Sequence, residues 1–370
     1  MITQFAIFTH VEHYQSGKDL LAYEPYVREM NIWIKFVESV TIVAPQVGDR
    51  KPVDTVYNHS QIHFEKIPSI NFQSIPKIFK SFFALPIIFF KIFKTMYKSD
   101  HIHIRCPGNI GLLAAIAQIF FPSKSKTVKY AGNWDPQSRQ PLSYRFQKWL
   151  LNNTFFSKNI KVLIYGNWPN QSINVHSFFT ASFSNSDIVR INKNLSIPIR
   201  FLFVGTFSSG KQPLEAIKLC KLLSNRGVPL KLEFYGEGEE LVMMKNFIKQ
   251  ENLSHLVEIN QFLPLTELKR RYIDSHFLLL PSKSEGWPKV VAEAMFFGCV
   301  PIVTNISCIP WMLDAGKRGI ILDSNFENSI EKIIEIIKSE SIYLQVSKEA
   351  QIFSNKYTLE RFEEEILALL

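Results

Sequence analysis

The stretch from His276 to Thr304, HFLLLPSKSEGWPKVVAEAMFFGCVPIVT, constrains the fold of this chain more than any other. Two short apolar runs, His276 to Leu280 and Val300 to Val303, are bounded by Pro281 and Thr304. Neither alternates with polar residues, which is the pattern of strands buried on both faces of a parallel sheet. Between them Pro288 suits a first helical position, where its missing N–H is not needed, and Gly298 suits a C-terminal cap. Strand, loop, helix and strand make a βαβ unit. Open α/β sheets bind ligands at the carboxyl ends of their strands, which is where Ser282 to Trp287 falls.

Glu285 stands in that loop and Glu293 in the helix, eight positions apart. Eight helical residues rise about 12 Å, so the two carboxylates can meet opposite ends of an elongated ligand. The helix N-terminus between them favours a phosphate. An exposed helix with a solvated Glu293 fits the same spacing, and the spacing alone does not choose between the two.

At 370 residues the chain exceeds what a single core usually supports, so two domains are expected. A hydrophobic content of 46% excludes extensive disorder. The formal charge of +9 suits phosphorylated substrates or an anionic membrane surface, since no nucleic-acid motif accompanies it. Cys106, Cys220, Cys299 and Cys308 have no metal-ligand spacing and read as buried free thiols of a reducing compartment. The first ten residues lack the basic region and long apolar core of a signal peptide and read as a strand. The uncharged apolar run Ser81 to Phe90 is about half of what a spanning helix needs. A cytoplasmic protein is expected, one that touches the inner face of the membrane at most.

The first half alternates strands (Phe5 to Thr9, Val40 to Ala44, His101 to Arg105, Thr127 to Tyr130, Lys161 to Tyr165) with helices (Tyr23 to Glu38, Gly111 to Phe121, Leu142 to Leu151). His10 and His13 follow the first strand and Arg105 and Asn109 the third, at the carboxyl ends where the cleft of an α/β domain would open. After Tyr130, Asn133 offers hydrogen bonds and Trp134 an aromatic face to a ligand, although a turn with a packed Trp explains both equally well. His101 and His103 share a strand face without a third ligand and read as structural. Residues 75–98 combine Phe and Ile with Lys77, Lys80, Lys91, Lys94 and Lys98. The last three share a helix face opposite Phe90 and Phe93, as in a helix lying on an anionic bilayer, and Pro86 is expected to break the run.

Thr180 to Pro198, rich in Ser and Asn, reads as a linker. After it a strand, Arg200 to Val204, leads into Gly205-Thr-Phe-Ser-Ser-Gly210-Lys211-Gln212 and a helix opened by Pro213. Gly205, Gly210 and Lys211 match the phosphate loop of nucleoside triphosphatases. Gln212, however, stands where that loop needs a magnesium-binding hydroxyl, which argues against an NTPase. The loop still lets backbone approach an anion, with Lys211 supplying a charge. The strand Leu230 to Tyr235 ends in Gly236-Glu-Gly238, a site of close backbone approach.

The string Ser-Glu-Gly-Trp-Pro-Lys-Val-Val-Ala-Glu-Ala-Met, followed by Gly298 and Pro301-Ile-Val-Thr304, resembles the E-x7-E signature of family 4 glycosyltransferases. Pro288 departs from it by replacing the second glycine. The resemblance implies the GT-B fold, two Rossmann-like α/β domains facing each other across a cleft: an acceptor-binding domain over 1–185, a nucleotide-sugar domain over 196–355, and a last helix, 356–370, returning to the first through Phe362, Ile366 and Leu369. It implies a retaining enzyme that takes a UDP- or GDP-linked sugar as co-substrate, without cofactor, for a glycan or lipid-linked acceptor in surface polysaccharide synthesis. Lys211 would neutralise the diphosphate, Glu285 meet the donor sugar and Glu293 hold the ribose. Gly205, Thr206, Gly236, Gly286 and Trp287 would line the donor, and His10, Arg105, Asn133 and Trp134 the acceptor side. Thr206 stands where relatives often carry an arginine. With no D-x-D in the chain, the leaving group would be stabilised without a metal ion. A nucleotide-sugar epimerase of the same fold and a noncatalytic membrane-associated scaffold are the alternatives.

Overall fold

The computed structural model describes residues 2–70, 75–323 and 326–370, with side chains omitted for residues 75–80. Lys77 and Lys80 therefore lie outside the described side chains. The chain divides into two units, Met1–Phe179 with Phe362–Leu370, and Thr180–Arg361.

The first unit runs β1 (Ile2–Phe8), β2 (His13–Ser16), β3 (Asp19–Tyr23), α1 (Glu24–Ile34), β4 (Val37–Pro45), β5 (Asp54–Val56), β6 (Ile62–Ile67), α2 (Ile75–Lys98), β7 (His101–Cys106), α3 (Asn109–Ala117), β8 (Ser125–Tyr130), α4 (Leu142–Leu151), β9 (Ile160–Tyr165) and β10 (Val175–Phe178). Seven of its strands form one parallel sheet in the order β6-β4-β1-β7-β8-β9-β10. Strand order thus reverses between β1 and β7. Phe5 to Phe8 of β1 are buried, as expected of a central strand covered on both faces. A small antiparallel sheet, β2-β3-β5, is inserted after β1.

The two buried histidines of β7 share a partner. The Thr127 hydroxyl lies 2.9 Å from a ring nitrogen of both His101 and His103, and Phe5 stacks on both rings. Two readings of α2 need correcting. Pro86 does not break the helix. It sits on the exposed side, where the carbonyl left without a partner meets water. Nor do the phenyl groups lie opposite the lysines. Ala84, Ile88, Ile92 and Met96, at four-residue steps, take the buried face, and Phe90 shares the outward side with Lys94.

The second unit runs β11 (Ile199–Val204), α5 (Pro213–Asn225), β12 (Leu230–Tyr235), α6 (Leu241–Gln250), β13 (Val257–Asn260), α7 (Leu265–Asp274), β14 (Phe277–Leu280), α8 (Lys289–Phe296), β15 (Val300–Thr304), α9 (Ile309–Met312), β16 (Ile320–Leu322), α10 (Glu327–Lys338), α11 (Glu340–Ser354) and α12 (Leu359–Leu369). Its six strands are parallel in the order β13-β12-β11-β14-β15-β16, the doubly wound order of dinucleotide-binding folds. The reversal lies between β11 and β14, with Phe201 opposite Phe277. Phe203, Phe207 and Phe234 pack together beneath the β11 exit. Lys193 donates to the carbonyls of Tyr272, Ile273 and Ser275 and so caps the C-terminus of α7.

The end of α12 belongs to the first unit. Phe362 lies 5.5 Å from Phe178 and 5.6 Å from Phe179, and the buried Lys129 ammonium stands 5.4 Å from its ring. Ile366 is fully buried, whereas Leu369 is half-buried. Phe362→Ala is expected to cost about 3–5 kcal/mol in urea denaturation, and a loss below about 1 kcal/mol would contradict this packing. Acid gives a second test. Burial, the leading cause in each, pushes His13, His101 and His276 down to about 4. Because their folded values lie below the unfolded value of about 6.5, their contribution is complete above about pH 6.5 and is lost as pH falls toward about 4. Stability measured in urea should fall steeply across that window, by roughly 2 kcal/mol per histidine at about pH 5. A flat profile there would refute the buried neutral assignment.

Candidate active site

The loops leaving β11 and β14 emerge side by side because these strands are neighbours. They are tied directly, the Lys283 amide donating to the Gly210 carbonyl at 2.9 Å. From the first loop the Lys211 ammonium reaches Glu285 Oε1 in the second at 2.5 Å. The Glu285 side chain is 8% exposed and that of Lys211 28%, so a buried carboxylate faces an ammonium that solvent can still reach. Two residues 74 positions apart are thus brought together at the switch point of the sheet.

The neighbouring strand supports the β11 loop. In that loop the Gly205 amide donates to the Tyr235 carbonyl and the Phe207 amide to that of Glu237, while the Glu240 amide returns to the Phe207 carbonyl. A Cβ on Gly236 would lie 2.0 Å from the Gly205 oxygen, and one on Gly238 2.3 Å from that of Phe207. The close approach at Gly236 is therefore to this protein's own backbone. Gly205 has open space where its Cβ would be, and Thr206 is exposed. Gln212 caps α5 in the left-handed region, at φ +53°.

The β14 loop is held from β15 and beyond. The Thr304 hydroxyl donates to the Ser282 carbonyl at 2.5 Å, and the Gly286 carbonyl accepts from the Ser307 hydroxyl at 3.1 Å and the Cys308 thiol at 3.3 Å. Pro288 is the cap of α8 and not its first residue. The Trp287 indole is buried, 5.6 Å from the ring of Tyr357 and 6.4 Å from that of Trp311, so it anchors the loop.

Glu293 lies one turn into α8. Its side chain is buried; Oε1 accepts from the Ser182 hydroxyl at 2.5 Å and Oε2 from the Tyr272 phenol at 2.8 Å. Both oxygens accept hydrogen bonds from this unit's own side chains, so the residue ties α8 to α7 and to the segment before β11. Desolvation, followed by the nearby Glu293 charge, holds the Tyr272 phenol protonated well beyond its usual range.

In the first unit His10 and Asn109 line a cavity of about 260 Å³ at the β1/β7 reversal, with Pro45, Gly108, Ile110 and Tyr144. The imidazole lies against Gly108, whose Cβ would fall 2.6 Å from Nδ1. Burial, then the Arg105 charge, lowers the His10 pKa, leaving a neutral ring able to accept a proton. Arg105 itself is engaged below the surface, 3.6 Å from Glu29 Oε1 and with its guanidinium over the Tyr26 ring. Asn133 Oδ1 accepts from the Asp135 amide at 2.9 Å, and Trp134 is buried edge-on to Tyr130 at 4.8 Å. This loop is a packed turn, and the ligand-stacking reading of Trp134 is withdrawn. His13 is buried against Tyr57 and has a structural role.

Among the described residues no cluster of three or more His, Cys, Asp or Glu side chains is placed to hold a metal ion. Sequence reasoning missed Phe207, Ser307 and Cys308 as supports of the two loops. Only Phe207, an apolar residue in an otherwise polar loop, left a signal.

Residues 186–353 match the family described as Glycosyl transferases group 1. An uncharacterised glycosyltransferase of Haemophilus influenzae is 30% identical over 46% of this chain and 48% of its own length. The amylovoran biosynthesis glycosyltransferase AmsK of Erwinia amylovora is 27% identical over 35% of this chain and 34% of its own length. The chain thus spans about half the length of the first and about a third of the second. The Anabaena HepE structure, solved in complex with UDP and glucose, superposes with a TM-score of 0.69 at 12% identity, over 100% of this chain and 99% of that one. The chain has the GT-B fold, with two parallel-sheet α/β units, and its residues 186–353 are similar to the glycosyltransferases of that family.

Proposed function

We propose that the protein is a retaining, metal-independent glycosyltransferase that moves a hexosyl group from a UDP- or GDP-linked sugar to a glycan or lipid-linked acceptor in bacterial surface polysaccharide synthesis. The observation that carries this reading is the Lys211–Glu285 pair at the β11/β14 switch point. Phosphate is the ligand an ammonium on a glycine-bearing loop suits best, and sugar hydroxyls suit a shielded carboxylate. The AmsK likeness supports a polysaccharide product, and the HepE complex supports a nucleoside diphosphate in this fold.

In the reaction the bond between the anomeric carbon and the diphosphate oxygen breaks and a bond to the acceptor oxygen forms. Charge grows on the leaving phosphate, and Lys211 is the group positioned to stabilise it. The departing phosphate itself takes the acceptor's proton. The open backbone at Gly205 and Thr206 and the amide of Gly286 line the diphosphate path. Thr206 brings no charge, so Lys211 carries the larger share. Before donor arrives the ammonium is held by Glu285. Binding exchanges that partner for phosphate and frees the carboxylate for the sugar. His10, neutral in the first unit's cavity, is the acceptor-side candidate.

This exchange predicts opposite effects on nucleotide affinity, measured by calorimetric titration with UDP, GDP and their sugars. Lys211→Ala should weaken nucleotide binding by about 10- to 100-fold. Glu285→Gln should bind the bare nucleotide at least as tightly as wild type, because the ammonium is released, yet transfer sugar about 100-fold more slowly. Unchanged nucleotide affinity in the lysine variant, or unchanged turnover in the glutamine variant, would refute the assignment.

A further inference from the structure

The helices on one face of the first unit's sheet carry an aromatic surface that its core does not use. Outward from α2 point Phe83, Ile87, Phe90 and Tyr97, spaced three, four or seven residues apart, and Phe83 is 74% exposed. Phe93 continues the surface to Phe120, 5.9 Å away at the end of α3. The Gln118 side chain, two residues earlier and just past α3, donates to the Phe156 carbonyl at 3.2 Å and so joins this end of α3 to the turn that follows α4. There Phe155, Phe156, Trp149 and Phe146 contact one another in sequence, at ring separations of 5.1, 5.9 and 5.6 Å.

This turn is built to keep its rings outside. The Asn153 side chain accepts from the amides of both Phe155 and Phe156, and the Ser157 hydroxyl donates to the Leu150 carbonyl. Two adjacent phenylalanines are fixed outward by hydrogen bonds that collapse onto the core would break. The charge on these segments is mostly positive. Between Lys66 and Asp187 the only carboxylates are Asp100 and Asp135, and Asp100 accepts from the Gln4 amide. Lys94, Lys98, Arg145 and Lys158 are exposed on or beside the belt, and Lys158 lies over the Phe155 ring. Lys91, by contrast, is paired with Glu65 at 2.7 Å. Among the described residues no helix is long and apolar enough to cross a membrane.

From this we infer that the outward faces of α2 and α4, with the 155–156 turn, form a docking face for an anionic phospholipid bilayer. Aromatic rings interleaved with lysines sit at the depth of the headgroups, and an excess of cations with almost no carboxylates complements acidic lipid. The inference is independent of the glycosyltransferase reading. It also widens the surface beyond residues 75–98, because α4 and its turn supply a second aromatic cluster.

Vesicle flotation of the full chain tests it, using phosphatidylcholine alone and phosphatidylcholine mixed with phosphatidylglycerol. Wild type should bind the mixed vesicles, and high salt should release it. Phe146→Ser/Trp149→Ser/Phe155→Ser and Phe83→Ser/Phe90→Ser/Tyr97→Ser should each weaken binding by at least about tenfold. Lys94→Glu/Lys98→Glu should weaken binding to the mixed vesicles selectively. Val242→Ser, at an exposed apolar site in the second unit, should change nothing. Thermal melts and nucleotide titration of each variant check folding and leave the donor assignment separately testable. Wild type that ignores both vesicles, or an α4 triple variant that binds as wild type does, overturns the proposal. So does a wild-type dimer by light scattering that the same substitutions dissociate, since a second copy would then cover the belt.

Discussion

The ion pair between Lys211 and Glu285 is the interaction on which the functional reading of this chain depends, and backbone topology creates it. In a doubly wound sheet the first and fourth strands are neighbours whose following helices lie on opposite faces, so their loops diverge from a shared opening. Lys211 leaves one strand and Glu285 the other. Because the carboxylate is shielded and the ammonium half-open, the pair is a polarised site that an anion entering from solvent can divide. A fully buried pair would be locked by the cost of separating its charges, and a fully exposed one would hold neither group in place.

Much of the second unit exists to hold those loops still. Gly236 and Gly238 allow the β11 loop to rest on the neighbouring strand's exit, and the Phe207 side chain pins it to the core. Ser307, Cys308 and Thr304 fix the β14 loop through its carbonyls, and Trp287 anchors it in an aromatic cluster. Glu293 joins α8 to Tyr272 and Ser182 and so orients the helix whose first amides face the loop. Gly236, Trp287 and Glu293 thus all take part in holding the two loops and α8. The first unit repeats the topology, with its own cavity at the β1/β7 reversal.

The central strands and most helices were legible in the sequence, and the reasons are physical. β12 and α4 fall on the expected bounds because a strand covered on both faces leaves an unbroken apolar run, and a half-buried helix a clear period. β6 and β10 were missed because they are the two edges of their sheet, where IHFEKI and VHSF mix polar residues into the run. The short β2, β3 and β5 pair with one another and leave no buried periodicity. At the site, the glycine-lysine loop and Glu285 were readable because their chemistry is local. The roles of Trp134, Trp287 and Glu293 were not, since each is decided by neighbours distant in sequence. A tryptophan on an open loop and one packed in a core look alike in one dimension, as do a solvated glutamate and one that bonds Ser182, 111 positions away.

A crystal structure with a UDP- or GDP-sugar bound tests the central claim most directly. The account predicts the diphosphate at the carboxyl ends of β11 and β14, with a phosphate oxygen within hydrogen-bonding distance of Lys211 Nζ and Glu285 turned from the ammonium to a sugar hydroxyl. A nucleotide bound elsewhere, with the Lys211–Glu285 pair intact, would contradict it.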